Sequence, residues 1–336
     1  MTLLEVKDLT VSYAQRGGAV QAVRGVDFTL AGGEVLGIAG ESGSGKTTMA
    51  LSLLRLLPPG AKVTGEITFQ GEDLRAATWG RLRAVRWAEA SVVFQGAMNA
   101  LNPVRSIGQQ IREPIILHDK IGERGARARV AELLDSVGVS ARLQGAYPHE
   151  LSGGQRQRVM IAMALACRPN LIIADEPTTA LDVMVQAQIL QLLADLVAET
   201  NIGVMMISHD LAVLAERCDR LAIMYAGRIV EIGPAVDLVG EPKHPYTNAL
   251  SSAFPQIGDM KSRLAPHGLP GDPPDPSTVG VGCAFAPRCP VVREECLTAD
   301  IELWDAGAER SAACIRVLPE YAPDTTRTPT LSDVSP

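Results

Sequence analysis

Nine residues, Gly40-Glu41-Ser42-Gly43-Ser44-Gly45-Lys46-Thr47-Thr48, constrain this chain more than any other stretch. They follow an apolar run at 35–39 and precede an apolar helical pattern at 49–57, in the spacing G-x-x-x-x-G-K-[ST] of a phosphate-binding loop. Glycines at 40, 43 and 45 accept backbone conformations that a Cβ opposes, so consecutive N–H groups can converge on phosphate oxygens. The loop opens a helix, whose positive end suits an anion. Lys46 can add a full charge near the β- and γ-phosphates, and Thr47 can offer its hydroxyl to the Mg2+ that bridges them. The bland alternative is a Gly/Ser-rich turn that happens to end in Lys-Thr; strand before and helix after argue against it.

At 336 residues the chain implies one large domain and a smaller one. A 46% hydrophobic share with only 4% aromatics predicts a sizeable, mainly aliphatic core. The net charge of -7 disfavours nucleic acid or an anionic lipid surface as the main partner. No stretch approaches the roughly 18 uncharged apolar residues of a membrane span, and Met1-Thr2-Leu3-Leu4-Glu5 lacks the regions of a signal peptide. The expected compartment is the cytosol, where the six cysteines read as thiols or metal ligands and not as disulfides. Cys167 and Cys218 stand alone and read as buried, inert thiols.

In chain order, 3–13 alternates as an edge strand and 21–30 as a second, a small antiparallel sheet before the phosphate loop. Tyr13 ends the first, where its ring can stack on a nucleotide base or simply pack. Pro58-Pro59-Gly60 breaks the first helix, 65–71 reads as a hairpin element and 79–86 as helix. Residues 91–94 form a strand ending at Gln95, which can reach the Mg2+ or the attacking water, or be a solvated loop amide. From about 97 to 168 the pattern is that of an inserted helical subdomain. Near its end, Leu151-Ser152-Gly153-Gly154-Gln155 precedes an amphipathic run, so Ser152 can cap a helix whose Gly-Gly entry leaves N–H groups for an anion. By local physics a plain capped helix is the better account of these residues.

Leu171-Ile172-Ile173-Ala174-Asp175-Glu176 reads as a buried parallel strand that ends in two carboxylates. Asp175 can hold the Mg2+ shell, and Glu176 can polarise a water toward the γ-phosphate. Asp182 lies in the turn before a helix at 185–198, whose Ile189, Leu192, Leu193 and Leu196 form a core stripe. Residues 203–210 give the next buried strand, with His209 at its carboxyl end as a γ-phosphate sensor or a structural histidine. A hairpin over 220–225 and 228–231 closes the first domain. Past Gly240, His244-Pro245-Tyr246-Thr247 opens a short helix, and 265–282 is a Pro/Gly/Asp-rich stretch of loops. It leads into Cys283, Cys289, Cys296 and Cys314, four thiols within 32 residues, spaced C-x5-C-x6-C-x17-C.

Taken together, Tyr13, the loop 40–48, Gln95, the Leu-Ser-Gly-Gly-Gln segment 151–155, the acids 175–176, Asp182 and His209 resemble the nucleotide-binding subunit of an ATP-binding cassette (ABC) transporter. The resemblance covers about 3–255 and implies that Ser152, Gly153, Gly154 and Gln155 of one subunit complete the ATP site of another. A narrower resemblance, to the oligopeptide/dipeptide/nickel importer branch, rests on residues 175–183, Leu101-Asn102-Pro103, 244–247 and the late cysteines. Gly96-Ala97 departs from the Asp-Pro that many cassettes carry after the glutamine, which puts the contact to membrane subunits in question.

The implied fold is α/β: a P-loop NTPase core with an N-terminal antiparallel β subdomain, an inserted α-helical subdomain and a C-terminal cysteine-containing appendage. The divisions are 1–255 for the nucleotide-binding domain, 256–322 for the appendage and 323–336 for a disordered tail. ATP and Mg2+ are the implied ligands. For the four late cysteines the candidates are a [4Fe-4S] cluster, zinc or free thiols; the spacing lacks the C-x2-C pairs of most zinc sites. The branch implies a second, different ATPase subunit, two permeases and an extracytoplasmic solute-binding protein, with this chain peripheral on the cytoplasmic face of the membrane. Peptide import is the expected function. A nickel or haem-like cargo is the alternative within the branch, and a non-transport ATPase acting on nucleic acid or ribosomes is the alternative outside it. That last class normally shows a second cassette, a coiled coil or a basic surface, and none is evident here.

Overall fold

The computed structural model describes residues 1–15, 18–94, 100–119, 121–178, 181–253 and 271–321. Two sheets organise it. Strands β1 (Thr2–Gln15), β2 (Gly18–Ala31), β4 (Ala61–Phe69) and β5 (Glu72–Asp73) form an antiparallel sheet in the order β2-β1-β4-β5. The first strand is therefore interior, not the edge its alternation suggested. Period-2 burial records which face is covered but not whether a neighbour stands on one side or both.

The larger sheet begins with β11 (Trp304–Gly307), β12 (Arg310–Ala312) and β10 (Arg228–Pro234) and continues through five more strands. Its central block, β9 (Arg220–Tyr225), β3 (Val35–Ala39), β8 (Gly203–Ile207), β7 (Leu171–Asp175) and β6 (Ala90–Val93), is parallel. Successive residues of these strands face opposite layers, as strand geometry requires. Ile172, Ala174, Val204 and Met206 join a core shared with the helices, while Leu171, Ile173, Met205 and Ile207 join one shared with the antiparallel sheet. Each aliphatic side chain so buried contributes about 1.5–3 kcal/mol, so two-sided burial explains why β3, β7 and β8 read as unbroken apolar runs.

The helices are α1 (Lys46–Leu53), α2 (Trp79–Ala88), α3 (Ile107–His118), α4 (Glu123–Ser136), α5 (Gly153–Ala164), α6 (Val183–Thr200), α7 (Leu211–Arg217), α8 (Ala235–Gly240) and α9 (Pro245–Ala253). Helix α6 buries Ile189, Leu190, Leu193 and Val197, with Leu192 and Leu196 partly covered. Among the described residues, no helix is long and apolar enough to cross a membrane.

The tail departs from the appendage expected. Strands β11 (Trp304–Gly307) and β12 (Arg310–Ala312) pair antiparallel, and β12 continues onto β10 (Arg228–Pro234) at Glu231 and Ile232. β10 is thus not the edge strand of this sheet. Its outer side would otherwise present unpaired backbone groups, and the tail covers that edge.

Register fixes where the loops emerge. Ile38 lies opposite Ile207, Ile207 opposite Asp175, and Val93 opposite Ala174. The carboxyl ends of four parallel strands therefore reach one rim of the sheet, the usual location of ligands in α/β folds.

Candidate functional site

At that rim β3 passes through the loop 40–48 into α1. Gly45 has a φ of 100°, and a Cβ on it would lie 2.3 Å from the Ala22 carbonyl oxygen, so a larger residue is excluded. Gly43, at φ 78°, has nothing within 4 Å of such a Cβ, so the outer side of the loop is open space. Lys46 Nζ donates to the carbonyls of Gly40 (2.7 Å) and Glu41 (2.8 Å) and to Ser44 Oγ (3.4 Å). Lys46 and Ser44 are buried, whereas Ser42 and Thr47 are exposed and Thr48 is half-buried. Burial pulls the Lys46 ammonium below its ordinary pKa, and the carboxylates of Glu176, Asp175 and Glu41 oppose that shift.

Asp175 ends β7 and is buried, with Oδ1 lacking a hydrogen-bond partner. Burial, ahead of every other influence, raises its pKa; a hydrogen bond with Thr47 and the charge of Lys46 lower it, and Glu176 raises it. A buried carboxylate oxygen without a partner, beside a threonine hydroxyl, is a donor set that suits a hard divalent cation. Glu176 follows in a left-handed conformation (φ 45°), its N–H donating to the Ile207 carbonyl at 2.9 Å. Such strain in a non-glycine residue concentrates at functional positions. Its Oε1 lies 3.4 Å from Nδ1 of the exposed His209. Loop, acids and histidine thus form one electrostatic group. Gln95, with Gly96-Ala97, lies outside the described residues.

Ser152 caps α5: its Oγ accepts from the Gln155 N–H at 3.2 Å, and Gln155 Oε1 accepts from the Ser152 N–H at 3.0 Å. A Cβ on Gly154 would lie 2.7 Å from Val185 Cγ1 of α6, and one on Gly153 3.6 Å from Leu181. Asp182 in turn caps α6 by accepting from the Val185 N–H at 3.0 Å. The starts of α5 and α6 are therefore packed side by side. Among the described residues, 152–155 make no hydrogen bond or ion pair with 40–48. Tyr13, half-buried near the end of β1, stands opposite Val20 and Ala61.

Cys283, Cys289, Cys296 and Cys314 line one narrow cavity of about 20 Å³, together with His244 and Phe285. Burial pushes Cys283 up to about 11 and raises Cys289 and Cys314 as well. Among the described residues, no group of three or more His, Cys, Asp or Glu side chains is arranged to hold a metal ion. The expected metal site, a [4Fe-4S] cluster or zinc, is thus not supported: the thiols share a cavity but are not brought together as a set of ligands. Cys167 and Cys218 are buried free thiols, each pushed up to about 12 by desolvation.

Residues 23–179 match the family described as ABC transporter, and 230–296 match the oligopeptide/dipeptide transporter C-terminal region. A putative peptide import ATP-binding protein of Brucella abortus is 49% identical over 298 residues, 88% of this chain and 89% of its own. The chain belongs to the ABC transporter family, in its oligopeptide/dipeptide branch. An oligopeptide transport ATP-binding protein of Mycobacterium tuberculosis is 47% identical over 318 residues; the cassette aligns over 94% of its own length but spans only 52% of that relative. A dimeric ATP-binding cassette solved in a post-hydrolysis state with ADP and Pi superposes with a TM-score of 0.63 at 29% identity, covering 69% of this chain and 98% of that one.

Three residues of the cassette's loop region escaped the sequence reading. The Tyr246 hydroxyl accepts from the Glu41 N–H at 2.9 Å, Arg288 pairs with the Glu41 carboxylate, and Tyr225 stands beside Arg288. Residues 41 and 288 are 247 positions apart, so no local pattern could join them.

Proposed function

We propose that this chain is the ATP-hydrolysing subunit of an ABC importer for di- and oligopeptides, peripheral on the cytoplasmic face of the membrane. One observation carries the reading: the open phosphate loop, the buried Asp175 and the strained Glu176 converge at one rim of the sheet. The names borne by its relatives favour peptide over nickel or a haem-like cargo.

The loop amides and Lys46 would hold the β- and γ-phosphates, with Tyr13 stacked on the base. Thr47 and Asp175, with Gln95, would hold Mg2+, which neutralises phosphate charge when bound. Glu176 would accept a proton from the attacking water, and His209 would orient Glu176 and sense the γ-phosphate. The open side at Gly43 and the capped start of α5 support a shared site, in which Ser152 to Gln155 of a sister cassette cover the nucleotide, with Asp182 beside that seam. Closure of two cassettes would drive two permeases between access states, fed by an extracytoplasmic binding protein. In this reading 1–255 is the nucleotide-binding domain, with a helical insertion at about 97–168, and 256–322 is a regulatory or structural extension.

A further proposal, a cysteine-ligated iron–sulfur cluster, rests only on four soft donors that line one cavity, since among the described residues they are not arranged to hold a single metal ion. Iron and acid-labile sulfide in anaerobically purified protein would bear this out, and colourless, iron-free protein would end it.

The decisive experiment for the main reading is Mg-ATP hydrolysis by the assembled transporter, beside a Lys46→Ala variant, with labelled dipeptide uptake as the transport readout. Activity that depends on Lys46 and is accompanied by uptake is expected. A wild-type complex that neither retains nor cleaves ATP would remove the reading.

A further inference from the structure

The tail grips the phosphate loop at Glu41. Arg288 Nη1 donates to Glu41 Oε2 at 2.8 Å and Nη2 to Oε1 at 2.9 Å, a two-pronged pair whose side chains keep only 6% and 21% exposure. The rings of Tyr225 and Phe285 flank the guanidinium, 5.8 and 6.0 Å from its carbon. The remaining polar groups of Glu41 are also engaged: its N–H donates to the Tyr246 hydroxyl, and its carbonyl accepts from Lys46 Nζ at 2.8 Å. Arg288 closes the 3-10 turn Ala286–Arg288, between Cys283 and Cys289.

A forked, nearly dry pair fixes the plane of both partners, which a solvated lysine contact does not. Glu41 stands inside the phosphate loop, so whatever fixes it also fixes the carbonyl against which Lys46 leans. A contact that served only to glue the tail to the core would have no reason to end on this residue. We propose that Arg288 is a positioning residue for nucleotide binding, through which the tail sets the shape of the phosphate loop by way of Glu41. This rests on the ATPase reading and adds to it that the nucleotide site is built from both ends of the chain.

The test compares Arg288→Lys, Arg288→Met, Glu41→Gln and the Glu41→Gln/Arg288→Met double variant with wild type in the full transporter. It measures Kd and KM for Mg-ATP, kcat, and the melting temperature of each chain. Loss of a coupled pair predicts a rise of about ten-fold in Kd and KM for each Met or Gln variant, with kcat within about two-fold and the double variant no worse than the worse single one. Arg288→Lys should recover part of the affinity, since it keeps charge without the fork. Folded Arg288→Met and Glu41→Gln chains with unchanged Kd, a loss confined to kcat, or strictly additive losses would overturn the proposal. If Arg288→Met does not fold, the nearly isosteric Glu41→Gln decides the matter from the loop side. A wild type that fails to bind Mg-ATP would remove the ATPase reading and this one together; equal binding by wild type and variants removes this one alone.

Discussion

Glu176 Oε1 stands 3.4 Å from His209 Nδ1, across the carboxyl ends of the adjacent parallel strands β7 and β8. Both residues sit just past apolar strands, so the sheet sets their separation and no flexible loop intervenes. An amide in place of the Glu176 carboxylate keeps the shape and the contact to His209 but accepts no proton. Glu176→Gln should therefore lower turnover by about 10²- to 10³-fold while leaving ATP affinity intact. Single-turnover cleavage and size-exclusion chromatography with Mg-ATP should find an uncleaved, persistent cassette pair. Ordinary turnover in this variant would strip Glu176 of its assigned role.

Asp175 supplies the complementary case, in which function and stability pull apart. Its buried Oδ1 has no hydrogen-bond partner, and Thr47 and the charge of Lys46 offset the burial of the carboxylate only in part. Asp175→Asn removes that charge at constant volume. The expected result is a melting temperature raised by about 2–4 °C without ligand, a gain of order 1 kcal/mol. Magnesium-dependent nucleotide binding should fall at the same time. Differential scanning calorimetry with and without Mg-ATP reads both effects, and a less stable variant that still responds to magnesium would contradict the assignment.

Ser152 can be separated into its two roles by choice of substituent. Ser152→Ala removes the Oγ that caps α5 and should cost about 1 kcal/mol. Ser152→Asp restores an equally good cap but sets a negative charge where a sister cassette's phosphate would approach. Melting should then be near wild type for Asp and lowered for Ala, while hydrolysis by the cassette pair falls by more than about ten-fold for Asp. Equal activity in the Asp variant would mean that Ser152 is a cap and nothing more.

The rim was readable because each of its parts is local. The loop 40–48, the acids at the end of β7 and His209 after β8 are short motifs attached to apolar runs, and parallel register then brings them together. What escaped was set by distant pairing. The interior place of β1 depends on β4, and the attachment of the tail depends on strands of four and three residues that carry no readable periodicity. The clamp on Glu41 depends on an aromatic wall drawn from β9, α9 and the residue that precedes the turn at 286–288, where Tyr225, Tyr246 and Phe285 lie within 5.4 Å of one another by ring centroid. The four late cysteines were legible as a group, and their shared cavity agrees with that, whereas the chemistry they carry depends on distances that spacing does not encode.

His244 gives a prediction for pH. It is completely buried, its Nδ1 accepts from the Tyr246 N–H at 3.0 Å, its ring lies 5.9 Å from that of Phe285, and burial pushes its pKa from 6.5 down to about 3. The folded chain thus refuses a proton that the unfolded chain accepts. Above pH 6.5 neither state is protonated and the contribution to stability is fully present. As pH falls from there toward about 3, the unfolded state gains the proton alone, and stability declines by up to about 1.4 kcal/mol per pH unit. Replacing the imidazole by a neutral acceptor, His244→Asn, should flatten the acid limb of a denaturant-midpoint profile over that window, even if it lowers the plateau. An unchanged slope would assign the acid sensitivity to other groups.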